Sequence, residues 1–251
     1  LFRSRYGSVE NIFGNNGIYW LSLSLFIAAL YGAEYLALEP VIRKRWPALL
    51  VGWTRLISGQ FGDPMLGRHV LYGVVGGTTF LLLSAAIEIA EKTVRLNPLV
   101  GDLDALLGPR FQMGALFAAF VNSFNNTMFI LLLVIGIALA VRRLWLAALL
   151  AALLLAVLSG LGASMMWLRM ASAFVGNGLV ILYLLRFGML ATLILLGVTV
   201  IFELFPPDLH WGAWYADTRV LAALSVLALL VYGYFTATAG YRSDKSEDEL
   251  S

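Results

Sequence analysis

Few side chains in this sequence have the type and spacing to do chemistry, and nearly all of them sit in or beside long apolar runs. The two histidines, His69 and His210, lie far apart in the chain, which excludes a multi-histidine metal centre and disfavours a bis-histidine haem. One imidazole is enough to ligate the magnesium of a chlorophyll-type pigment, so both are pigment-ligand candidates. Each also reads as an interfacial residue: His69 follows Arg68 at the mouth of an apolar segment, and His210 stands among Trp211, Trp214 and Tyr215. Arg186 falls about eight residues inside an apolar run, where a charge is costly and is a functional candidate by default. It would meet an ion, a proton path or a lipid phosphate, or pair structurally with Glu88, Glu203 or a helix-end carbonyl.

Glu34, Glu39, Glu88, Glu91 and Glu203 all fall in the last turns of expected helices, where a carboxylate reaches water or a basic loop as an anchor. Asn122, Ser123, Asn125, Asn126 and Thr127 form a polar knot that would either bond between helices or line a small wet cavity. Gly73 and Gly77, with Gly76 between them, make a small-xxx-small pair suited to close helix contact. No phosphate loop, nucleophile elbow, catalytic triad or paired catalytic carboxylates occur. The stretch Glu39-Pro-Val-Ile-Arg43 lacks the double Glu of intramembrane CAAX-type proteases. The absence of cysteine excludes disulfides, thiolate metal sites, cysteine-ligated clusters and thioether haem. No enzymatic activity and no obligatory cofactor are expected.

The elements that would position these residues are membrane helices. Apolar residues make up 61% of the 251, charged residues only 13%, and mean hydropathy is +0.85, far beyond what a soluble domain of this length requires. A net charge of +2 gives no basic surface for nucleic acid. A bilayer core of about 30 Å needs roughly 20 apolar residues in a helix. That criterion predicts an all-α integral membrane protein of about six spans: 17–38, ended by Pro40, then 69–90, 123–141, 144–163, 178–204 and 219–240. Residues 1–16 read as a polar N-terminal segment of a chain that begins inside a longer polypeptide, and 241–251 as a disordered acidic tail.

Two connections carry further signal. Trp46, Leu49, Leu50, Trp53, Leu56 and Ile57 recur at helical spacing beside Arg43, Lys44, Arg45 and Arg55, which predicts an interfacial amphipathic helix over about 47–59. Residues 109–122 are too few to cross alone; they read as a second interfacial or re-entrant segment, or as the start of one long tilted third helix. With this layout the basic residues nearly tie. Arg3, Arg5, Lys92, Arg95, Arg110, Arg169, Arg242 and Lys245 lie on one side, and Arg43, Lys44, Arg45, Arg55, Arg68, Arg142 and Arg143 on the other. The acidic, Trp-bearing loop 206–218 tips the reading toward both termini in the cytoplasm of a bacterial inner membrane.

The segment YLALEPVIRKRWPALLVGWTRLISGQFGDPMLGRHVLYG and the terminal FPPDLHWGAWYADTRVLAALSVLALLVYGYFTATAG resemble the polytopic membrane region that follows the kinase domain in acidobacterial membrane-anchored Ser/Thr protein kinases. The resemblance implies a membrane module of that type. It supplies no kinase residue, because the Gly-rich loop, His-Arg-Asp and Asp-Phe-Gly motifs are absent from this sequence. Three functions follow as expectations. The first is a non-catalytic membrane subunit that packs against other membrane proteins and bound lipids, with the accessory subunit of a type I photosynthetic reaction centre, holding (bacterio)chlorophyll, as its narrower form. The second is the anchor or sensor region of a kinase. The third is a small-solute or ion transporter using Arg186 and the asparagine knot.

Overall fold

A chain this apolar satisfies its backbone in lipid by making its hydrogen bonds within helices. The computed structural model describes residues 15–92, 109–161, 166–204 and 216–248, and among them it contains seven α-helices and no strand. These are α1 (Asn15–Arg45), α2 (Val51–Ile57, preceded by a 3-10 turn at Pro47–Leu49), α3 (Pro64–Lys92), α4 (Pro109–Val141), α5 (Leu144–Gly160), α6 (Met166–Leu204) and α7 (Ala216–Asp248). Five of them, α1, α3, α4, α6 and α7, are long and apolar enough to cross a membrane. The 17 residues of α5 reach about 25 Å at 1.5 Å each, most of a bilayer core. The chain divides into two compact units, Leu1–Trp46 and Pro47–Ser251.

In the first unit α1 does not end at Pro40 but continues through it to Arg45. Proline removes one helical N–H, and the turn that follows offsets the loss: Arg43 Nε donates to Glu39 Oε1 at 2.6 Å, and Arg43, Lys44 and Arg45 lie at the negative end of the helix dipole. None of the 18 residues of its most apolar window is buried.

In the second unit the expected interfacial helix over 47–59 is shorter and turned inward. Leu49, Leu50 and Gly52 are buried, and the segment packs on α3 and α6 rather than on lipid alone. Helix α3 starts five residues before the expected position, because Gly-Asp-Pro is a start signal: Pro64 needs no N–H partner at the first position, and Asp63 Oδ1 accepts the Met65 N–H at 2.7 Å. Helix α4 is continuous from Pro109, so 109–122 is neither interfacial nor re-entrant. Its 33 residues, about 50 Å, exceed the core thickness and require tilt. Helix α7 runs on to Asp248, so the expected disorder from 241 gives way to helix at least that far; no proline or glycine follows Gly240, and extending a formed helix is easier than nucleating one.

The largest departure is in the expected fifth span, 178–204. Helix α6 has 39 residues and breaks at Gly188, where φ is +82° and ψ 179°, a conformation open essentially only to glycine. A straight helix would be about 58 Å long and would hold its ends that far apart. Instead Arg169, Ser172 and Ala173 line the same recess as Glu203, and Leu179 and Tyr183 line the same groove as Leu195. The chain therefore doubles back at Gly188 into two arms, α6a (166–187) and α6b (189–204), of about 33 and 24 Å.

Helix α3 packs along both arms, antiparallel to α6a and parallel to α6b. Gly76 faces the Tyr183 ring, Gly73 lies against Ile194 and the Ala191 carbonyl, and Gly77 lies against Val198 and the Leu195 carbonyl; added Cβ atoms would stand 2.4 to 3.0 Å from their neighbours. Gly67 and Gly233 give α3 and α7 a second close crossing, with the Gly67 carbonyl 3.2 Å from a Cβ placed on Gly233. Small residues serve the same end on α5, whose buried face is Ala147, Ala148, Ala151, Ala152, Ala156 and Gly160. Between the glycine contacts sit Val74, Val198 and Val226, and lower down Ala119, Ile201 and Ala222.

Candidate functional site

The reversal at Gly188 gives the second unit two distinct ends. Leu49 and Ala48 carbonyls close over the turn, 3.0 and 3.3 Å from where a Cβ on Gly188 would stand. The start of α3, the end of α4 and the start of α5 belong to this end, because α3 enters beside it and α5 runs antiparallel to α6a, with Gly178 opposite Ala152 and Gly160 opposite Met170. Arg55, Arg68, Arg142, Arg143 and Arg186 all lie here, while Arg169 lies at the opposite end. Exposed Trp145 and Trp167 mark the two ends like the aromatic belts of a bilayer.

Arg186 is therefore at the edge of the bundle and not deep in a span. It is exposed and makes no ion pair among the described residues. Pairing with Glu203 is ruled out by distance, since Glu203 stands at the far end of α6b, about 22 Å along the arm. Glu88 belongs to the same far end, near the close of α3, and its side chain lies outside the described residues. The bilayer-edge position lets the guanidinium reach headgroups or water.

Arg55 turns toward Asp63 in a short charged hydrogen bond. Burial alone would push the Asp63 carboxyl up, but the Met65 N–H and the Arg55 guanidinium outweigh it and hold the group below the usual carboxylate range. Beside this pair the His69 ring lies on the Gly52 backbone, and its Nδ1 is buried without a hydrogen-bond partner, as is Trp53 Nε1. The Nδ1 edge is thus closed to a pigment macrocycle. The Trp53 ring packs tilted against Phe124, with centroids 5.5 Å apart. Trp46 belongs to the first unit, where its N–H bonds the Ile42 carbonyl at 2.7 Å. His210 and its aromatic neighbours lie outside the described residues. Among the described residues no three His, Asp or Glu side chains converge as metal ligands.

The polar knot of α4 separates into two faces. Ser123 and Thr127 are buried, and their hydroxyls donate to the Ala119 and Ser123 carbonyls at 2.6 and 2.7 Å. Asn122, Asn125 and Asn126 are exposed, and their spacing puts them on one outward stripe that continues through exposed Phe129 and Leu132. Ser123 Oγ is 3.7 Å from a Cβ placed on Gly197, halfway along α6b, so the amides stand at mid-depth of the bundle. They face outward, where lipid or another protein would lie. The sequence reading marked these asparagines and missed Asp63, Gly188 and the recess holding Arg169 and Glu203. For Asp63 the signal was Gly-Asp-Pro, and for Gly188 a lone glycine in an apolar run too long for one crossing. The described residues thus present a helical membrane bundle with an arginine-rich end and an outward amide stripe, and no protein-family model, curated protein or solved structure matches the chain.

Proposed function

We propose that the chain is a non-catalytic membrane subunit that docks another membrane protein through the amide stripe of α4. The observation that carries this reading is the exposure of Asn122, Asn125 and Asn126 at mid-depth. An amide moved from water to alkane costs roughly 4 to 8 kcal/mol when nothing bonds it, whereas a hydrogen bond between membrane helices returns about 1 kcal/mol and removes the penalty. Such a stripe is stable facing another helix and unstable facing acyl chains. The apolar window of α1, none of whose residues is buried, offers a second surface of the same use. A photo-crosslinking residue at position 126, introduced into the full chain in its native membrane, is expected to give discrete protein adducts, while the same group at exposed Leu82 gives lipid adducts. Lipid adducts alone at position 126 would refute the reading.

The arginine-rich Gly188 end is proposed to face the cytoplasm, following the bias of short loops for basic residues on that side. An accessory subunit of a photosynthetic reaction centre and the anchor of a kinase are two settings for the same docking role. Gentle purification separates them by pigment absorbance or by a covalently continuous kinase domain. The transporter reading loses its support, because Arg186 lies at the bundle edge and the asparagines point outward.

A further inference from the structure

The outward face of α4 has a regular spacing as well as its amides. Ala118, Asn122, Asn125, Phe129 and Leu132 are all exposed, and they follow one another at intervals of four, three, four and three residues. That alternation is the a and d seam of a heptad pattern, which keeps facing a partner helix that crosses at a shallow left-handed angle. Buried Ser123, Thr127, Met128 and Leu131 lie on the faces turned into the bundle, so the seam is separate from the surface that α4 uses within its own chain. The 33 residues of α4 already require tilt in the bilayer, and pairs of this kind cross at about 20°.

The chemistry of the seam is its own complement. An asparagine amide carries both N–H donors and a carbonyl acceptor, so two identical amides can each donate to the other. No charged residue lies between Arg110 and Arg142, so two copies of the seam meet without repulsion. Copies of one chain share one topology in the membrane, and a twofold axis along the membrane normal sets identical residues opposite each other at one depth. A different protein needs its own polar pair, spaced three residues apart at mid-depth, to satisfy Asn122 and Asn125. A second copy carries that pair already.

Taking the docking role proposed above as its basis, we infer that the partner of the amide stripe is a second copy of this chain. The two α4 helices pair in parallel about a twofold axis, with Asn122 opposite Asn122 and Asn125 opposite Asn125. Such an isologous contact closes at two copies, because each seam is fully used by the other.

Disulfide trapping in the native membrane tests this, since a single introduced cysteine joins two copies only where it meets its own counterpart, with Cα atoms about 4.4 to 6.8 Å apart. The parent chain has no cysteine, so every disulfide comes from the introduced residue. Ala118→Cys, Phe129→Cys and Leu132→Cys, which leave the asparagines in place, should give covalent dimers under a membrane-permeant oxidant. Phe120→Cys, exposed but about 200° around the helix from Asn122, and Leu82→Cys on α3 should not. Förster transfer between copies labelled through Leu82→Cys, diluted stepwise into lipid vesicles, gives the association constant. Asn122→Ala with Asn125→Ala should lower it about tenfold, the loss expected from one or two hydrogen bonds between membrane helices. No dimer from the seam cysteines, equal dimers from Phe120→Cys or Leu82→Cys, or an unchanged association constant in the double variant would each overturn the inference. Adducts from position 126 to a different protein, without seam disulfides, would overturn it and leave the docking role standing, whereas lipid adducts alone would remove both.

Discussion

Replacing Gly188 by alanine tests the reversal of α6 by the sign of its effect. In a straight membrane helix, Gly→Ala stabilises by about 1 kcal/mol, since alanine is the better helix former. At φ +82° and ψ 179° the same change places an L-residue in a region it rarely enters, at a cost of roughly 1 to 3 kcal/mol. The new methyl would also stand 3.0 Å from the Leu49 carbonyl oxygen, which belongs to a buried backbone that has little room to move. The two geometries therefore differ by about 2 to 4 kcal/mol and in direction. Reversible unfolding of the purified chain in mixed micelles, followed by tryptophan fluorescence, measures the difference. Gly188→Ala should lower the midpoint, and a raised midpoint would refute the hairpin. A distance measurement supports the same conclusion without relying on stability. The chain has no cysteine, so Ser172→Cys with Glu203→Cys gives a unique pair. These residues line one recess and should accept a short bifunctional crosslinker, whereas along a straight helix they would be about 46 Å apart.

Gly73→Ala should destabilise by roughly 1 to 3 kcal/mol, because its methyl would press on Ile194 and lie 2.8 Å from the Ala191 carbonyl oxygen. Gly136→Ala, with nothing within 4 Å, should be neutral or stabilise by up to about 1 kcal/mol; equal effects in an unfolding assay would contradict the packing described. Asp63 gives a pH dependence of definite sign. Its folded carboxyl titrates below the unfolded one, so its contribution is complete above an unfolded pKa of about 3.9 and disappears as pH falls through the folded value. Asp63→Asn should flatten that acid limb of the stability profile, and an unchanged limb would assign it to other groups. Cysteines at Gln60 and Arg142 should react with an impermeant maleimide only from the cytoplasmic side and one at Leu161 only from the other; a shared side for Gln60 and Leu161 would dismiss the topology.

Fold class was legible because its cause is local: runs of apolar residues with internally satisfied backbone declare membrane helices wherever they occur. Boundaries were less legible where a single residue has two readings. Pro40 looks like a stop, yet the Glu39–Arg43 pair and the basic last turn carry α1 past it. Asp63 and Pro64, outside the expected span 69–90, are the cap and first position of α3. Hydropathy is blind to Gly188, because a hairpin and a straight helix of the same composition score alike. The asparagines were visible as a polar cluster, but the division between buried Ser123 and Thr127 and outward Asn122, Asn125 and Asn126 depends on which face of α4 meets α6b. The recess was not legible at all, since Ser84, Ser159, Arg169 and Glu203 come from three helices and converge only after α6 folds back.

The same reversal accounts for two difficulties in the sequence that look unrelated. With one straight fifth span, Arg186 is a charge stranded in hydrocarbon, and the basic residues divide almost evenly between the two sides. Turning the chain at Gly188, two residues beyond Arg186, moves that guanidinium to an end where Arg55, Arg68, Arg142 and Arg143 already lie and returns α7 toward the same end. The cost of an intramembrane charge is lowered, and the end where these arginines gather is the one proposed above to face the cytoplasm.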